Sequence, residues 1–172
     1  MCPPKLTVWC VLWANGIIGP YFFENADGAT VTVNSGRYRN MLREFLWPKL
    51  NEMDVNQLWF QQDGATSHTS RETIVLLRSM FDDRIVSRNG EVNWPPRSCD
   101  LTPLDYFLWG YLKSKVYTNN PQTLQHLKDN IQAAIDAIDP LLLREDIENF
   151  DFRMIACQQS HGGHMNDIVL HI

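Results

Sequence analysis

Residues 57–81 read QLWFQQDGATSHTSRETIVLLRSMF, and within them one periodicity gives way to another. The run QLWFQQ, at 57–62, is too short for a helix and is closed by Asp63-Gly64, which predicts a buried strand meeting a turn. From Thr69 the spacing changes. Thr69 and Glu72 stand as a capping box, and Ile74, Leu77 and Phe81 recur on one helical face. A strand, a turn and a helix in that order form an α/β unit.

Working outward, KLTVWCVLW at 5–13 and IIGPYFFE at 17–24 flank Asn15-Gly16, a strong hairpin signal. Gly19-Pro20 removes a ladder donor from the second arm, which should be an edge strand or carry a bulge. From Asn34 the stripe Tyr38, Met41, Leu42, Phe45 and Leu46 predicts a helix that Pro48 ends, with Arg37, Arg39, Arg43 and Glu44 off the stripe. Downstream, 84–88 reads as a short strand and NWPPRSCD at 93–100 as a loop. Thr102-Pro103, Asn120-Pro121 and Asp139-Pro140 each open a helix. Their stripes are Leu104, Phe107, Leu108, Tyr111 and Leu112, then Leu124, Leu127, Ile131, Ile135 and Ile138, then Leu143, Ile147, Phe150, Met154 and Cys157. The expectation is an α/β domain, a mixed sheet covered by helices. Residues 1–118 form its sheet and acidic core, and 119–172 a C-terminal helical portion.

The chain has 172 residues, 44% hydrophobic and 20% charged, which excludes a mini-protein, a collagen and a disordered chain. No apolar run approaches the roughly 18 to 20 residues of a membrane span, and Met1 is followed by Cys2, Pro3 and Pro4 instead of a basic and apolar leader. An intracellular protein with no membrane partner is expected. Cys2, Cys10, Cys99 and Cys157 are scattered without a CxxC pair, as reduced thiols are. The net charge of −5 argues against coating nucleic acid by bulk electrostatics. The acidic excess is local, however. Residues 119–172 hold eight acids against three bases, and the rest is balanced, so a basic groove remains open to the body of the chain.

Asp63 stands at the carboxyl end of a strand, where open α/β sheets place ligands and where a carboxylate can hold a hard cation. The same Asp-Gly pair also serves as a plain turn. Asp105, in CDLTPLDYFLWG, has the spacing from Thr102 of a helix N-terminus, so capping alone would explain it. Its aromatic, apolar surroundings are what an exposed cap does not need, and Asp100 competes with it for any acidic role.

WFQQDGATSHTSRETI, followed by VNWPPRSCDLTPLDYFLWGYLKSKVY, resembles the second and third acidic blocks of mariner-type transposases, members of the DDE superfamily with an RNase H-like catalytic domain. The similarity extends to VWCVLWANGIIGPYFFE upstream and to the C-terminal helices. In that family three acids hold two divalent ions that act in phosphodiester cleavage and strand transfer. The resemblance implies Asp63 as the second acid and Asp105 as the third, as catalytic residues and ligands of Mg²⁺ or Mn²⁺, with their carboxylates on one rim. Asp100 matches a motif aspartate not usually counted as a ligand. The resemblance further implies DNA transposition and integration as the family's activity, and nuclear localisation.

Two departures accompany it. Forty-one residues lie between Asp63 and Asp105, longer than in the best-known mariner enzymes, with the insertion placed between Phe81 and Asn93. The family's first acid lies in an Asp-Glu block on a strand upstream of Lys5, and its helix-turn-helix region lies upstream as well. The expectation is a partial domain lacking its first central strand, an inactive remnant with weak, nonspecific affinity for DNA. Homodimerisation or pairing with intact transposase follows from the exposed sheet edge. The alternatives are a noncatalytic, host-domesticated interaction protein and an incomplete gene model of an active enzyme.

His68, Arg71, Arg97, Lys113 and Lys115 surround the acidic blocks as candidate nucleic-acid contacts, along with Arg78 and Arg88. Solvated faces are the ordinary reading of the arginines and lysines, and the favoured one for Arg78, whereas for His68, just before a helix start, the ordinary reading is local hydrogen bonding. Cys157, His161 and His164 fall short of a tetrahedral zinc set. Of the tryptophans that could stack bases, Trp59 and Trp109 read as core and Trp94 as the exposed one, with Trp47 a further candidate.

Overall fold

The computed structural model describes residues 5–95 and 98–161. The described chain groups into two compact units, one comprising 5–10 and 18–98, the other 11–17 and the residues from 99 onward.

Strand β1, Val8–Trp13, and strand β2, Gly16–Phe22, pair as a hairpin whose turn is Ala14–Asn15, one residue earlier than the Asn-Gly signal predicts. With two strands in the sheet, both are edges, and β2 accommodates Pro20 as expected. Gly19 has φ +137°, and a Cβ there would lie 2.9 Å from Cys10 Sγ, so only glycine suits the position.

In the unit of 5–10 and 18–98, helix α1, Ser35–Met41, starts at Asn34, whose side chain accepts from the Arg37 amide. It continues through a widened π turn, Leu42–Leu46, into α2, Trp47–Leu50. Pro48 therefore does not end the helix. The Trp47 amide already reaches back five residues to Leu42 O, and a proline just after such a turn, at the start of the next α segment, breaks little of the ladder. Tyr38, Met41, Leu42, Leu46 and Leu50 are buried.

Strand β3, Phe60–Gln61, leads to α3, Arg71–Phe81, and then to β4, Ile85–Val86, which pairs parallel to β3 with Phe60 opposite Ile85. This is the predicted strand-turn-helix unit closed by a second strand. The helix cap is Ser70, one residue beyond Thr69: Ser70 Oγ accepts from the Thr73 amide, while Thr69 Oγ1 donates to Ala65 O. Thr73, Ile74, Leu77, Met80 and Phe81 are buried, and the Phe81 ring stacks on Phe60 at 4.9 Å. Trp59 and Trp94 reverse the sequence expectation. Strand alternation turns Phe60 inward and leaves Trp59 56% exposed. Val92 bridges to Val86 at the end of β4, which starts the following loop against the sheet and leaves Trp94 only 6% exposed. Among the described residues no strand joins the β1–β2 pair to the β3–β4 pair.

In the unit containing 99–161, a 3₁₀ turn, Cys99–Leu101, precedes a second π turn, Leu104–Leu108, which runs into α4, Trp109–Val116. Helix α5, Leu124–Asp136, starts later than the Asn120-Pro121 signal predicts: its cap is Thr123, whose side chain accepts from the His126 amide, and Asn120 has φ +50° outside the helix. Helix α6, Pro140–Gln159, begins at Asp139 with proline in its first turn, as predicted. Leu108, Leu112, Val116, Leu127, Ile131, Ile135, Ile138 and Leu143 form the core. The predicted α6 stripe holds in part: Leu143 is buried, but the inner face also carries Asp146 and Arg153, and Met154 is exposed. No described helix is long and apolar enough to cross a membrane.

Candidate functional site

Asp63 lies two residues past the end of β3, and what positions it is Gln62. Two residues beyond Phe60, Gln62 shares its inward face and is 5% exposed. Its Oε1 accepts from Tyr38 OH at 2.9 Å, and its Nε2 donates to His68 O and to Ser87 Oγ, both at 2.9 Å. One buried amide thus ties together α1, the loop that follows Asp63, and the end of β4. Hydrophobic periodicity misses Gln62, although period-two counting from Phe60 points to it.

The Asp63 side chain is half exposed. Oδ1 accepts from the Ala65 amide at 3.0 Å, an Asx turn, and meets His68 Nδ1 at 2.5 Å. The His68 ring packs on Tyr38 with centroids 4.2 Å apart. The hydrogen bond from His68 holds the Asp63 carboxyl below the usual carboxylate range, helped by the Ala65 amide and by attraction to His68, against the opposing pull of burial. The Tyr38 hydroxyl is pushed up, chiefly by burial, with the charge of Asp63 adding to it. The turn and the ligand reading of Asp63 therefore coexist: Oδ1 organises the loop, and Oδ2 makes no further hydrogen bond.

Asp105 sits in the π turn that opens the helix leading to α4. Its amide donates to Thr102 O at 2.8 Å, its side chain is exposed, and Thr102 and Leu108 on either side are buried. Widened turns of this kind recur at functional sites. Asp100, in the 3₁₀ turn, has its carbonyl engaged by Arg153 NH1 at 2.9 Å. Arg153 lies over the Tyr106 ring at 3.8 Å, and Tyr106 OH donates to Asp146 O. Helix α6 thereby grips the segment on both sides of Pro103.

Of the candidate nucleic-acid contacts, His68 is drawn onto Asp63, and Arg71 is the exposed first residue of α3. Arg71 and Arg43 line an open depression of about 550 Å³ with Glu72, Val75, Leu76 and Ser79. Arg39 reaches Ser70 Oγ at 3.4 Å and Glu72 at 3.9 Å, so two arginines read only as off-stripe positions of α1 and its π turn face the start of α3. Lys113 and Lys115 are exposed in the last turn of α4, with Lys115 over the Tyr111 ring at 5.7 Å. Arg78 pairs with Glu91, and Arg97 lies outside the described residues. Cys10, Cys99 and Cys157 are free thiols; His161 is exposed, and His164 and Cys2 are outside the described residues. Among the described residues no three His, Cys, Asp or Glu side chains converge as a metal-binding group.

No family model and no curated protein sequence matches the chain. Solved structures do. A structure of the Mos1 transposase catalytic domain with raltegravir and Mn has a TM-score of 0.73 at 19% identity, over 94% of this chain and 83% of that one. The catalytic domain of Mos1 mariner transposase gives 0.71 at 18% identity, over 94% and 82%. A Mos1 transposase paired-end complex with the left transposon end gives 0.75 at 20% identity, over 96% of this chain and 48% of that one. The chain has the RNase H-like fold of the Mos1 transposase catalytic domain.

Proposed function

We propose that this chain is the core of a transposase-type catalytic domain that binds DNA weakly and a divalent cation, in which Asp63 and Asp105 stand for two of the three metal-ligating acids of such a domain. The observation that carries the reading is Asp63. On this fold it presents a carboxylate at a strand end, held ionised, with Oδ1 committed to the loop and Oδ2 left for a cation. The donor chemistry fits a hard ion: two exposed carboxylates, Asp63 and Asp105, suit Mg²⁺ or Mn²⁺. Solved neighbours of the fold include Mos1 structures with Mn and with Mg and paired-end complexes. When bound, paired divalent ions stabilise the attacking and leaving oxygens of an in-line phosphoryl displacement.

The chain's own residues have distinct roles in this reading. Gln62 sets the height of Asp63 above the β3–β4 pair, and His68 fixes its carboxylate by a charge-assisted hydrogen bond. Arg71, Arg97, Lys113 and Lys115 contact phosphates, with Arg39 and Arg43 joining them on the evidence of their position at α3. Such contacts are sequence-independent and weak, and the site of action is nuclear. Among the 172 residues the resemblance supplies Asp63 and Asp105 only, so this stretch assayed by itself is expected to bind a cation without cleaving DNA.

Manganese binding followed by its paramagnetic resonance tests the proposal. Free Mn²⁺ should fall on adding the protein, and Asp63→Ala and Asp105→Ala should each weaken binding. Equal binding by wild type and both variants overturns the ligand assignment. Incubation with Mg²⁺ or Mn²⁺ and mariner-end DNA should leave the DNA intact. Cleavage that disappears in Asp63→Ala would show that another residue completes the acid set.

A further inference from the structure

We infer that Arg153 is the positioning residue of Asp105, holding the segment 99–106 from helix α6 so that the Asp105 carboxylate is presented in one orientation. Arg153 is only 6% exposed. Taking its charge out of water is costly, and an apolar side chain of similar length would pack the helix at least as well. The contacts of the guanidinium show what it does instead. NH1 donates to Asp100 O at 2.9 Å, and the guanidinium carbon lies over the Tyr106 ring, 3.8 Å from its centroid. Tyr106 OH donates in turn to Asp146 O at 3.0 Å, two helical turns before Arg153 on the same inner face of α6.

Asp146 does not account for the buried charge. Its side-chain attraction to Arg153 involves no hydrogen bond, since neither carboxyl oxygen has a hydrogen-bond partner. The directional contacts of the guanidinium lead to Asp100 and Tyr106, and so fall on both sides of Asp105. The amides of Asp105 and Tyr106 both donate to Thr102 O, so a hold on Tyr106 is a hold on the backbone that carries the acid. The Asp105 side chain is exposed, and the buried Leu108 after it anchors the helix to its core. The inference rests on the reading of Asp105 as a cation ligand, whose aim is set by groups that do not themselves touch the ion.

Mn²⁺ affinity measured by paramagnetic resonance on the full chain tests it, for wild type, Arg153→Met, Asp105→Ala and the double variant. Removing a positive charge by itself strengthens cation binding, whereas loss of positioning weakens it. Arg153→Met should weaken binding about tenfold or more, and this loss should vanish in the Asp105→Ala background. Arg153→Lys keeps the charge without the planar fork and should not restore affinity. Amide hydrogen exchange supplies a readout without metal: Arg153→Met should speed exchange of the Asp105 and Tyr106 amides about tenfold relative to those of Leu112 and Val116. If Arg153→Met fails to fold, Tyr106→Leu carries both measurements. Unchanged or tighter Mn²⁺ binding by Arg153→Met, beside weakened binding by Asp105→Ala, overturns the proposal, as does a loss of the same size with Asp105 removed. Exchange that rises equally at all four amides, as a merely structural role requires, or at none of them, overturns it too. Equal binding by Asp105→Ala and wild type would refute the ligand reading instead, and the exchange measurement then decides alone whether Arg153 holds the segment.

Discussion

Replacing Gln62 with leucine keeps most of the side-chain volume and removes three hydrogen bonds at once. The partners left behind are Tyr38 OH and Ser87 Oγ, on residues 1% and 0% exposed, and the carbonyl of His68. A buried polar group without a partner costs about 1 to 3 kcal/mol. Ser87 Oγ retains a contact to Arg88 O, so the full penalty falls chiefly on the tyrosine hydroxyl and less on the other two. The expected loss is about 2 to 4 kcal/mol, a large part of the roughly 5 to 15 kcal/mol that holds a domain together. Urea unfolding followed by circular dichroism should show a lower midpoint with an unchanged slope. Tyr38→Phe alone should also destabilise, by orphaning the Gln62 oxygen. Because removing both members of a buried pair costs less than removing either, the double variant should fall short of the sum by about 1 kcal/mol or more. Additive losses, or a Gln62→Leu effect under about 0.5 kcal/mol, would refute the role given to this amide.

Asp63→Asn should flatten the acid limb of stability. The folded carboxyl is depressed, so its contribution is fully present above the unfolded value of about 3.9 and is lost as pH falls through the folded value. Unfolding midpoints of wild type and variant should therefore converge below about pH 4. Asp146 behaves oppositely. Burial pushes its carboxyl up to about 7, against the pull of Arg153. The folded state holds that proton while the unfolded state has lost it, so wild-type stability should fall as pH rises from about 4 to 7, and Asp146→Asn should abolish this fall and be the more stable protein at pH 8. Gly19→Ala should destabilise by about 1 to 3 kcal/mol, read by thermal melting, because its φ of +137° and the 2.9 Å approach to Cys10 Sγ exclude a Cβ.

Features written locally in the chain were legible. The Asp63-Gly64 end of a short apolar run, the acceptors at Asn34 and Asp139 and the proline after the latter are short-range signals, and the elements they delimit are present. Signals decided by distant residues were not. Ser70 and Thr69 are equally good caps by composition, and the hydrogen bonds of Ser70 to Thr73 and of Thr69 to Ala65 separate them. Trp59 and Trp94 differ in burial because of which face of β3 meets Phe81 and where Val92 bridges, facts about pairing rather than about tryptophan. The candidate site shows the same division. Asp63, His68 and Asp105 stand in recognisable motifs, whereas Gln62 and Arg39 take their roles from side chains 25 and 31 residues away. The polar inner face of α6 escaped a search for apolar stripes because Asp146 and Arg153 occupy positions such a search expects to be hydrophobic.

The widened turn at Leu104–Leu108 carries one residue more than an α-helix needs, and that surplus changes the angular phase of everything before it. Downstream, Leu108, Leu112 and Val116 keep step at intervals of four and lock the helix into its core. Upstream, Pro103 is offset by about 100° from where an uninterrupted helix would aim it, and Asp105, inside the turn, by part of that. The direction of the carboxylate is thus uncoupled from the packing of the helix that bears it. Deleting a single residue within the turn would leave the Leu108–Leu112–Val116 face in place and swing Asp105 to a different bearing, which makes this turn a phase adjuster that can re-aim an acid without rebuilding a core.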